Sequence, residues 1–60
     1  MPMTQRQMVR LLMKNGWFKT GGGKGSHIKM AKAGKRPITV PHGELRQPTE
    51  NAIRKQAGIE

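Results

Sequence analysis

The run Ser26-His27-Ile28-Lys29-Met30-Ala31, then Lys32-Ala33-Gly34-Lys35, then Arg36-Pro37-Ile38-Thr39-Val40 decides the fold. Two alternating segments flank a turn at Ala33-Gly34, the pattern of half-buried strands joined by a hairpin. Because a strand repeats every two residues, Ser26, Ile28 and Met30 share one face, and His27 and Lys29 share the other. Ile38 and Val40 point inward in the same way, and Pro37 marks a strand start or an edge strand. Upstream, Trp17-Phe18-Lys19-Thr20 supplies a third short strand across the loop Gly21-Gly22-Gly23-Lys24-Gly25. Three antiparallel strands joined by two hairpins follow.

Helices close both ends of this unit. Thr4 is a good N-cap, and Gln7 three residues later completes a capping box. Met8, Leu11 and Leu12 then recur at helical spacing, leaving Arg6, Arg10 and Lys14 for the outer side. Asn15-Gly16 stops the helix, since glycine takes the left-handed conformation at C′ without a Cβ penalty, and Trp17 folds back against the last turn. After Pro41-His42-Gly43 breaks the sheet, Pro48 suits the first turn of a closing helix. There Glu50 lies near the positive end and Arg54 and Lys55 near the negative end. Ala52, Ile53 and Ala57 form its inward stripe, and Gly58 ends it. The expected class is α+β in the order α-β-β-β-α. Two helices pack on one face of a three-stranded antiparallel sheet and leave the other face open to solvent.

Sixty residues make a single domain, 1–60, near the lower size limit for folding without a staple. No cysteine is present to provide one, so the core must come from Met8, Leu11, Leu12, Trp17, Ile28, Met30, Ile38, Val40 and Ile53. Twelve Lys and Arg against three Glu give a formal charge of +9, a field that favours a polyanion or an acidic protein surface. No apolar stretch is long enough to span a bilayer, and the N-terminus has no signal-peptide pattern, so a cytoplasmic location without membrane contact is expected. The basic residues are spread along the chain, which argues against a disordered basic tail.

Among residues able to carry chemistry, the glycine loop first suggests a phosphate loop. Lys24 and Ser26 are separated by Gly25, however, and no helix follows, so the Walker pattern is absent. The bare backbone of the loop can still approach a phosphodiester closely, together with Lys24. His27 directly follows this loop, on the uncovered face, with Lys24, Lys29 and either Lys35 or Lys19 available around it. Neighbouring cations favour the neutral imidazole that a general base requires, and they can hold a phosphate and its developing charge. His42, in its turn, is a second candidate, as the acid that cleavage of a phosphodiester also needs. Its plainer reading is a solvated turn residue. Trp17 is read as core, whereas Phe18 points the other way and can stack on a base. Glu44 and the two histidines have no recognisable metal-ligand spacing, and neither a metal nor another cofactor is expected.

Gly25-Ser26-His27-Ile28-Lys29-Met30 resembles the Gly-Ser-His-x-x-(Met or Phe) signature of the HicA toxin family. The similarity continues through Asn15-Gly16-Trp17, Ile38-Thr39-Val40-Pro41 and Ile53-Arg54-Lys55-Gln56-Ala57-Gly58, and so covers essentially the whole chain. The triple glycine Gly21 to Gly23 departs from relatives, which commonly carry larger polar residues there. The resemblance implies a double-stranded-RNA-binding-domain-like fold, ribosome-independent cleavage of mRNA, and catalysis by His27. It also implies a HicB-type antitoxin as partner, in a hetero-oligomer. The expected RNA-binding set is Lys24, Gly25, Ser26, Lys29, Lys19 and Lys35. A non-catalytic basic module that binds structured RNA fits composition and element order equally well, and only the setting of His27 separates the two.

Overall fold

The computed structural model describes residues 3–20 and 27–59. Its elements run α1 (Gln5–Lys14), β1 (Phe18–Thr20), β2 (Ile28–Ala31), β3 (Ile38–Val40) and α2 (Gln47–Ala57), the expected α-β-β-β-α order. Local chemistry sets the first helix. The Thr4 hydroxyl accepts from the Gln7 N–H at 3.2 Å and the Gln7 Oε1 accepts from the Thr4 N–H at 2.9 Å, a complete capping box. At the other end Gly16 takes φ +91°, its N–H donates to the Met13 carbonyl at 3.1 Å, and the Trp17 N–H donates to the Leu12 carbonyl at 3.0 Å. This pair of reversed bonds satisfies two of the last carbonyls and turns Trp17, 3% exposed, into the core.

The strands form one antiparallel sheet in the order β1-β2-β3, so β3 is an edge strand and Pro37 stands just ahead of it, where no ladder donor is needed. The register pairs Phe18 with Ala31, Lys19 with Met30 and Thr20 with Lys29. Across the other ladder Ile28 pairs with Val40, Lys29 with Thr39 and Met30 with Ile38. Directly opposed residues share a face. Met30, Ile38 and Val40 thus line the buried face, on which α1 and α2 pack against β3. Phe18, Thr20, Lys29, Ala31 and Thr39 lie on the face that the helices leave open.

The core is Met8, Val9, Leu12, Trp17, Met30, Ile38, Val40, Leu45, Ile53 and Ala57, with Leu11 and Ile28 half-buried against it. Three corrections to the sequence reading follow from helix phase and from the loop after β3. Residues 5, 8, 9 and 12 make the inner stripe of α1, so Val9 is buried and Leu11 sits on the rim. On α2 the stripe is Glu50, Ile53 and Ala57, and Ala52 is exposed. Buried Glu50 is tolerated because Arg54, one turn on, pairs with it at 3.2 Å. Leu45, 1% exposed, enters the core from the loop between β3 and α2. That loop is held to the N-terminal segment by an antiparallel bridge between Thr4 and Glu44 and by donation from the Leu45 N–H to the Met3 carbonyl at 2.7 Å.

Candidate active site

His27 stands immediately before β2 and is exposed. One pleat step before Ile28, it falls on the side of Lys29, the open side of the sheet. Lys29 follows two residues later on the same face, about 7 Å along the strand. Its carbonyl accepts from the Thr20 hydroxyl at 3.3 Å, which adds a side-chain tie between β1 and β2 beside it. Lys24, Gly25 and Ser26, which precede His27 in the chain, lie outside the described residues.

The second histidine arrives at the same end of the sheet by a different route. Ile28 pairs with Val40, so His27 and Pro41 flank the last pair of the β2–β3 ladder, and His42 is one residue further. His42 is exposed. It borders a shallow depression of ≈ 400 Å³ lined by Thr4, Gln5, Arg6, His42, Gly43 and Glu44. Arg6 lines the same depression, a placement the helical pattern of α1 alone could not disclose. Two main-chain acceptors around His42 are bound by one residue of α1. The Gln5 N–H donates to the Gly43 carbonyl at 2.9 Å and the Gln5 Nε2 donates to the Val40 carbonyl at 3.0 Å.

Two lysines expected around His27 are elsewhere. Lys19 is opposite Met30 in the register and hence on the helix side of the sheet, away from His27 and Lys29. Lys35 lies in the β2–β3 turn, where its N–H donates to the Lys32 carbonyl at 3.0 Å. That turn is at the far end of β2, more than about 10 Å along the strand from His27. Among the described residues, Lys29 shares the strand face of His27, and Arg6 lines the depression that His42 borders. Among the described residues no group of three or more His, Cys, Asp or Glu is placed to hold a metal ion.

A family model described as the HicA toxin of bacterial toxin-antitoxin matches residues 6–59. The chain belongs to the HicA toxin family. It is also similar to a chain of the solved structure "Toxin-Antitoxin complex from Streptococcus pneumoniae", with 67% sequence identity and a TM-score of 0.92. The likeness covers 97% of this chain and 100% of that one. Among curated proteins, none matches. The matched residues include the positions of His27 and His42. Among the described residues no helix is long and apolar enough to cross a membrane.

Proposed function

We propose that this HicA-family chain is an endoribonuclease that cleaves mRNA, with His27 as the general base on a ribose 2′-OH. The observation that carries this reading is an exposed imidazole one residue ahead of β2, where the strand pleat assigns it to the side of Lys29, the side the helices leave open. Neutral His27 takes the 2′-OH proton, and the 2′-oxygen attacks the adjacent phosphorus. The bond from phosphorus to the 5′-oxygen breaks, leaving a 2′,3′-cyclic phosphate and a 5′-OH fragment. His42 is the candidate donor of the proton that the leaving oxygen takes up. Acid and base are both side chains in this route, so the step as written uses no metal ion or other cofactor. Lys29, with Lys24, Gly25 and Ser26 ahead of His27 in the chain, holds the phosphates, Lys19 and Lys35 extend the basic surface beyond the site, and Phe18 offers a ring to one base.

In the cytoplasm the partner is an acidic HicB-type antitoxin that covers His27, a reading supported by the similar chain's place in a toxin–antitoxin complex. The test uses purified protein and a labelled RNA. Wild type cleaves it to cyclic-phosphate ends, and His27→Ala is about 10²–10⁴-fold slower while still binding the RNA. A 2′-deoxy substitution at the scissile nucleotide abolishes cleavage. RNA binding without cleavage by the wild type refutes the nuclease and leaves a basic RNA-binding module.

A further inference from the structure

The loop carrying His42 is exposed at its histidine and yet held firmly at its backbone. The main-chain carbonyls of Val40 and Gly43 bracket Pro41-His42, and both accept from Gln5, at 3.0 Å and 2.9 Å. Gln5 can do this because of where it sits. As the first residue of α1 it precedes the helical ladder, and its backbone N–H donates instead to the Gly43 carbonyl. It also heads the inner stripe continued by Met8, Val9 and Leu12, so its side chain is directed toward β3. The bridge between Thr4 and Glu44 and the buried anchor Leu45 continue the attachment beyond the histidine.

The same Val40 that receives the Gln5 side chain pairs with Ile28, the residue next to His27. Gln5 thereby fixes His42 against the rung of the ladder that also fixes His27. The path from His27 to Ile28, across to Val40 and on to His42 limits the two Cα atoms to roughly 17 Å at most. Gln5 lies just before the family-matched residues.

We infer that Gln5 is a positioning residue for His42, which delivers the proton to the departing 5′-oxygen. The inference rests on the nuclease reading of His27. In the step His27 gains the 2′-OH proton, the new bond forms from the 2′-oxygen to phosphorus, and the bond to the 5′-oxygen breaks. That oxygen takes its proton from protonated His42. The histidines end in exchanged protonation states and reset through solvent, so no co-reactant is needed. A glutamine is suited to this post because it has both the length to reach Val40 and an amide donor. Glutamate has the length without the donor.

The test compares two versions of one RNA oligonucleotide, after mapping its cleavage position. One has the ordinary 5′-oxygen at the scissile phosphate and the other a bridging sulfur, whose thiolate leaves without a proton. His42→Ala is expected to slow cleavage of the ordinary RNA about 10²–10⁴-fold and the sulfur-bridged RNA less than about 3-fold. Gln5→Ala and Gln5→Glu should lose about 10–10²-fold on ordinary RNA, with sulfur again restoring the rate, because a misplaced acid is a weakened acid. Gln5→Glu preserves the backbone donor and the side-chain size, and so isolates the bond to Val40 even where alanine perturbs the fold. In the double variant Gln5→Ala/His42→Ala, the rate should match that of His42→Ala alone.

Equal losses on both substrates would mean general damage to the fold and overturn the inference. So would additive losses in the double variant, or full activity of His42→Ala on ordinary RNA. His27→Ala must remain slow on both substrates, since sulfur does not replace the base. If it cleaves normally, the reading of His27 fails while the response of the Gln5 and His42 variants to sulfur still reports on their own roles.

Discussion

Replacing Phe18 by alanine separates binding from folding, because the neighbouring aromatics Trp17 and Phe18 have opposite environments. Phe18 is 56% exposed and lies opposite Ala31, whose small side chain leaves the ring largely uncovered. Fully burying a phenylalanine is worth about 1.5–3 kcal/mol, so with less than half of the residue covered its removal costs roughly 1 kcal/mol. In a domain of this size that lowers the melting temperature by about 4–8 °C. Trp17, 3% exposed, is different: truncation to alanine costs about 3–5 kcal/mol. At roughly 0.05–0.15 kcal/mol per residue, this is most of what a chain of such length has. For RNA the order reverses. Stacking of one base on an aromatic ring contributes about 1–3 kcal/mol, so Phe18→Ala should weaken single-strand binding about 5–150-fold. Ala31 lies four residues beyond His27, about 13 Å along β2, so the affected base belongs to a nucleotide away from the scissile phosphate. The assay is fluorescence anisotropy with a labelled single strand, in the His27→Ala background so that the RNA stays intact, beside thermal unfolding followed by circular dichroism. Unchanged affinity refutes the stacking role. A loss of stability as large as that of Trp17→Ala refutes the view that the ring is free for a ligand.

Lys29→Ala should weaken RNA binding uniformly across sequences and make the slope of log K against log salt shallower by about 0.7, the value for one single-strand phosphate; an unchanged slope removes Lys29 from the interface. Gly16→Ala and Gly58→Ala both force alanine into a left-handed backbone, at φ +91° and +74°, and each should destabilise by about 1–2 kcal/mol. Gly16→Ala should be the worse, because its Cβ would meet the Lys32 Cε at 3.3 Å and disturb the 2.8 Å bond from the Lys32 Nζ to the Asn15 carbonyl, whereas nothing lies within 4 Å at Gly58. Chemical denaturation of the two variants side by side measures the difference, and equal midpoints would remove the Lys32 contact from the account.

Everything that depends on a few neighbouring residues is legible along the chain. Thr4 and Gln7 start a helix and Gly16 stops it through bonds within one turn. The two-residue period of 28–31 and 38–40 places Met30, Ile38 and Val40 inward and exposes the side of Lys29. The candidate base His27 was legible for that reason, as a strand-end residue out of phase with its apolar neighbours. Packing settled which distant residues meet. Register, which no local signal carries, put Lys19 on the wrong side of the sheet and Lys35 at the wrong end to surround His27. The phase of α1, settled by packing on β3, chose Val9 over Leu11 and turned Gln5 toward Val40. Leu45 and His42 reached their places because a loop with no periodicity of its own was fastened to the start of α1. Short-range bonds form wherever the residue types permit, but a contact across 35 positions of chain exists only after the core has drawn its two ends together.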